Sequence, residues 1–68
     1  MSEVVNLLQL KPGTKIGMAN GSTVEVVSNP GDGMWIFGRY LSSPSDPSLE
    51  GTEEMVFAQE IIEVLETA

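Results

Sequence analysis

The chain has 68 residues, with ten acidic side chains against three basic ones, a net charge of −7, 41% hydrophobic residues, and neither cysteine nor histidine. That length allows one domain, and the missing cysteine and histidine exclude disulfides, thiolate metal sites and the commonest general base. Three scattered cations, Lys11, Lys15 and Arg39, cannot build the basic stripe that a phosphate backbone or an anionic membrane surface requires.

Ser2 to Leu10 reads two ways. Val4, Val5, Leu7 and Leu8 fit one face of a short helix that Ser2 could cap, and the same residues could lie as an extended arm. Lys11-Pro12-Gly13 breaks whatever precedes it. Thr14 to Ala19 is a strand, with Ile16 and Met18 alternating against Lys15 and Gly17. Asn20-Gly21 is the preferred pair for a two-residue type I′ hairpin turn, and Ser22 to Ser28 returns as the second strand on Val24 and Val26.

Asn29 to Gly33 is a second turn, rich in residues that supply special backbone angles. Its oxygen ligands, Asn29 and Asp32, are too few for a calcium loop. Met34 to Leu41 is the third strand. Met34, Trp35, Ile36 and Phe37 are consecutive apolar residues, so alternation does not say which side faces inward; such a strand is central or covered on its outer face.

Ser42 to Gly51 carries Pro44, Pro47 and four serines, which forbid a regular strand and predict a long mobile loop. Leu49 is its apolar anchor, and folding the loop back over the third strand would cover that strand's outer face. Thr52 to Ala58 is the fourth strand, Gln59-Glu60-Ile61 one tight helical turn, and Ile62 to Leu65 a closing strand. These elements divide the chain into an arm or short helix over 1–10 and a single β-barrel domain over 11–66.

The order of these elements resembles a small five-stranded SH3-like barrel of the KOW-like kind. The resemblance rests on Leu10-Lys11-Pro12-Gly13-Thr14-Lys15-Ile16, Gly21, Asp32-Gly33-Met34-Trp35, Glu54-Met55-Val56-Phe57 and Glu60-Ile61-Ile62-Glu63-Val64. It spans about residues 10 to 65 and is a pattern of elements without a signature motif. The whole chain is similar to compact bacterial proteins with no assigned function. Nucleic-acid-binding barrels of this kind set basic and aromatic residues together on one face; here only Arg39 lies near aromatics, between Phe37 and Tyr40.

Catalysis finds no support. Glu53 and Glu54 are neighbours on a strand and point to opposite faces, so they form no acid–base pair. Serine and threonine have no histidine to activate them, and no phosphate loop is present. No catalytic, cofactor or metal residue is assigned. Trp35 is either a core or barrel-mouth tryptophan or an exposed hot spot beside Arg39 and Tyr40, since Trp, Tyr and Arg dominate interfaces.

The reading is therefore a non-enzymatic protein-binding or assembly module, all-β, gripping a protein or peptide through Trp35, Arg39, Tyr40 and Leu49. The charge favours a basic partner. A nucleic-acid accessory would need a basic patch of Lys11, Lys15 and Arg39, and an acidic nucleic-acid mimic would need its carboxylates on one face. The N-terminus lacks a basic region and a small-residue cleavage site, so no secretory signal and a cytoplasmic location are expected.

Overall fold

A computed structural model describes residues 7–31 and 33–68. Five antiparallel strands form one open sheet: β1 (Lys15–Met18), β2 (Thr23–Ser28), β3 (Trp35–Ser42), β4 (Glu53–Phe57) and β5 (Ile61–Glu66), in the order β4-β3-β2-β1-β5. Three 3-10 turns, Leu7–Gln9, Pro47–Leu49 and Ala58–Glu60, complete the described elements, the last immediately before β5. The protein is all-β. Of the N-terminal segment, Leu7–Gln9 is the 3-10 turn, and the earlier residues of the helix-or-arm expectation lie outside the described residues.

The core is made by one face of the sheet. Ile16 and Met18 of β1, Val24 and Val26 of β2, Ile36 and Tyr40 of β3, Val56 of β4 and Ile61 of β5 are buried together with Leu7 and Leu10. Burying each of the larger side chains is worth about 1.5–3 kcal/mol. Leu7 and Leu10 cover part of that face, and the sheet bends around the rest. Its register shows how. Val27 falls between the pairs Val26↔Gly38 and Ser28↔Phe37, and Leu41 between Val24↔Tyr40 and Thr23↔Ser42. Such extra residues are bulges, which bend a strand and increase its twist.

Gly38 lies at the inside of the bend. A Cβ there would stand 2.3 Å from Cγ1 of Val24, so the inward row of β3 reads Ile36, gap, Tyr40.

The β1–β2 hairpin has its tip at Asn20-Gly21, but its loop is not the expected two-residue turn. Gly21 N–H donates to Met18 O at 3.0 Å and Met18 N–H to Ser22 O at 2.9 Å. Ala19, Asn20 and Gly21 thus form a three-residue loop. Gly21 has φ +88°, and Asn20 does not share the positive φ a type I′ turn demands. The reason is local: the Asn20 carboxamide accepts from Ser22 N–H at 3.0 Å, stabilising a turn closed by a single left-handed glycine.

Asn29 ties the N-terminal turn to the sheet. Its amide donates to Leu7 O at 2.6 Å and to Leu10 O at 2.8 Å, while its oxygen accepts from Gly31 N–H at 2.9 Å.

The Ser42–Gly51 segment is also organised. Asp46 accepts from Ser48 N–H and caps the Pro47–Leu49 turn, with proline at its start. Ser43 is fully buried, with its N–H donating to a Glu50 carboxylate oxygen at 3.1 Å and its hydroxyl 3.3 Å from that of Ser22. Leu49 packs against the core. The segment therefore does not cover the outer face of β3, where Phe37 and Leu41 stay about 40% exposed.

Candidate protein-binding face

The outer side of β3 carries Trp35, Phe37, Arg39 and Leu41. Register with β4 sets Trp35 opposite Phe57, Phe37 opposite Met55 and Arg39 opposite Glu53. Directly opposed residues share a face, so four large apolar side chains from two strands adjoin there. Phe37, Met55 and Phe57 keep 40%, 47% and 43% of their surface exposed. Trp35 is half-buried, and its ring meets that of Phe37 edge-on, with centroids 5.0 Å apart and planes at 88°. That geometry is favourable for aromatic pairs and holds both rings in place. Past Phe57 the face continues into a shallow depression of about 290 Å³ lined by Gly33, Met34, Phe57, Ala58 and Gln59.

A line of charges borders this face and crosses the sheet strand by strand. Glu66 of β5 opposes Lys15 of β1, Lys15 opposes Glu25 of β2, Glu25 opposes Arg39 of β3, and Arg39 opposes Glu53 of β4. The sign alternates at every step. Lys15 Nζ lies 3.0 Å from Glu66 Oε1, and an Arg39 guanidinium nitrogen 2.6 Å from Glu53 Oε2. The Lys15 ammonium is held above its ordinary pKa by its hydrogen bond to Glu66, by that carboxylate's charge and, to a smaller degree, by Glu25. Arg39 is raised in the same way by Glu53 and then Glu25. Both cations are thereby committed to carboxylates and do not form a free basic patch with Lys11.

The four residues singled out from sequence are divided by the fold. Trp35 and Arg39 stand on the outer face. Tyr40 turns inward, 7% exposed, as the alternation of β3 requires. Burial raises its phenol pKa, with smaller contributions from Glu60 and Glu54. Leu49 rests against the core behind it. Phe37, Met55 and Phe57 belong beside Trp35 and were not foreseen. The available signal was Gly38: with the glycine taken as the inward position, strand parity sends residues 35, 37 and 39 outward.

Among the described residues, no cluster of three or more acidic side chains is placed to hold a metal ion, and no helix is long and apolar enough to cross a membrane. No protein-family model, curated protein or solved structure matches the chain.

Proposed function

We propose that this chain is a non-enzymatic protein-binding module, and that it binds through the outer β3–β4 face. The observation that carries the reading is the patch in which exposed Phe37, Met55 and Phe57 adjoin the half-buried Trp35 on one face of β3 and β4. Contiguous apolar surface rimmed by polar residues marks an interaction site in a small protein. Trp35, braced by Phe37 and flanked by Arg39, has the composition of an interface hot spot. Tyr40 and Leu49 serve this face from behind, as part of the packing that fixes β3.

An SH3-like, KOW-like barrel remains the fold reading we propose. It is supported by the return of the last strand to β1 after a 3-10 turn. The alternation of Lys15 and Arg39 with carboxylates favours a protein partner over a nucleic acid.

The test compares wild type with the double variant Phe37→Ser/Met55→Ser in pull-downs from native lysate. Each protein captured is then titrated calorimetrically against the purified domain. A partner should bind wild type and lose most of its affinity for the double variant, whose circular dichroism stays that of wild type. Equal capture by the two proteins would overturn the assignment of this face.

A further inference from the structure

β4 ends the sheet. It has β3 on one side and, among the described residues, no strand on the other. The bonds bracketing the β3–β4 ladder fix its parity: Tyr40 N–H donates to Thr52 O at 3.0 Å and Ala58 N–H to Met34 O at 2.9 Å. Register runs unshifted between them, so the even residues of β4 exchange main-chain bonds with β3. The N–H and C=O groups of Glu53, Met55 and Phe57 are directed away from β3, along the open edge. Those are also the residues whose side chains stand on the outer face. One strand thus offers free main-chain donors and acceptors beside an apolar surface.

Resting on the reading of a protein-binding module, we propose that β4 takes up an extended segment of a partner protein as a sixth strand. That segment carries apolar side chains opposite Met55 and Phe57 and a lysine or arginine opposite Glu54. Added strands gain affinity from main-chain bonds and specificity from alternate side chains. On β4 the alternation is explicit. Met55 and Phe57 face outward on either side of the buried Val56, and Glu54, exposed at the rim of the inner side, precedes them. The outer-face cations cannot neutralise Glu54, since Lys15 and Arg39 are already paired.

Charge decides the occupant. A second copy would bring another chain of net charge −7 against an edge that carries Glu53 and Glu54. A basic and apolar segment meets no such penalty. The depression beyond Phe57 gives its last apolar residue a place to rest.

The probe is a capped, fluorescein-labelled peptide, Thr-Lys-Val-Thr-Val-Lys-Thr, which presents the required alternation in either strand direction. Anisotropy against the full chain should show saturable binding. Exchanging both peptide lysines for glutamate, or making Glu54→Lys in the protein, should each weaken it by about tenfold, and combining the two changes should restore it. Of two isomers N-methylated at alternate residues, one should lose binding and the other keep it, because only one parity faces β4. Equal affinity of the lysine and glutamate peptides, equal effects of the two isomers, or no binding would overturn the proposal. So would sedimentation of the free chain as a dimer with the amides of Glu53, Met55 and Phe57 protected, since a second copy would then hold the edge. If a lysate partner depends on Phe37 and Met55 while the peptide fails to bind, strand addition alone falls. If no partner depends on them either, the module reading falls too.

Discussion

Along β3, Ile36 is fully buried and Phe37, the next residue, is 40% exposed. The two side chains are similarly apolar, and what separates them is what lies across from each. Ile36 pairs with Val56 and belongs to the buried cluster that the inward residues of the other strands form on the side toward which the sheet bends. Phe37 lies among Trp35, Met55 and Ser28 on the convex side, where bending draws side chains apart. Hydrophobicity alone therefore does not select the core in a curled single sheet. The direction of curvature does, and Gly38 marks it.

The sharpest test is the pair Ile36→Ala and Phe37→Ala. The first should cost about 2–5 kcal/mol, the second about 1 kcal/mol or less, read from urea midpoints. Equal losses would mean that the outer face is packed in solution, and the distinction between the faces would collapse. Gly38→Ala should cost about 1–3 kcal/mol through overlap with Val24. Combined with Val24→Ala, it should cost less than the two single losses summed. Additivity there would deny that the gap on β3 exists to seat Val24.

Tyr40 probes the inner side by pH. It is the single tyrosine of the chain, so tyrosinate absorbance reports it alone. Burial, then Glu60 and Glu54, raise its folded pKa above the unfolded value. Its contribution to stability is therefore complete below about pH 10 and lost as pH rises through the folded value. Lys15 is also raised, by its hydrogen bond to Glu66 and that carboxylate's charge, and loses its pairing as pH rises through its own folded value. Tyr40→Phe should reduce the alkaline decline in stability, read from urea midpoints against pH, and leave the part that Lys15 carries. The smallest effect belongs to the charged line on the outer side. Arg39→Gln should change stability by less than about 1 kcal/mol, and that small loss should shrink with added salt. A loss as large as that of Ile36→Ala would show that the ion pairs, and not the inner face, hold the sheet.

Much of the fold was legible. Asn20-Gly21, Pro30-Gly31 and the prolines of residues 42–51 punctuate the chain where strands end, and the alternation of Val24 and Val26 gave their direction. The size of the hairpin loop was not legible, because Asn-Gly serves both a two-residue turn and a three-residue loop. The loop over 42–51 hid its order in plain view: Asp46-Pro47 is a capped helical start, overlooked beside so many serines. The candidate face was half legible. Trp35 and Arg39 announce themselves by residue type, whereas Met55 and Phe57 join them only through register across a ten-residue connection, and sequence carries no direct signal of that. Tyr40 is close to Trp35 in the chain but of opposite parity, and in a strand that difference sends the two side chains to opposite faces.

The position of β5 bears on how the molecule assembles and opens. The strands β1 to β4 pair as successive neighbours, whereas β5 pairs with β1, and Lys15 reaches a partner 51 residues away. Closing a loop of that length costs entropy that only the final contacts repay. β5 has little to repay it with, since Ile61 alone of its residues is buried. The four-strand meander is therefore expected to form first and β5 to dock last. By the same reasoning, β5 detaches in excursions that leave the rest intact. Native-state hydrogen exchange should show its amides exchanging well before those of Thr23–Val27, through an opening smaller than global unfolding. During each excursion β1 replaces β5 as the sheet edge opposite β4, and main-chain groups that β5 had covered are briefly open to pairing.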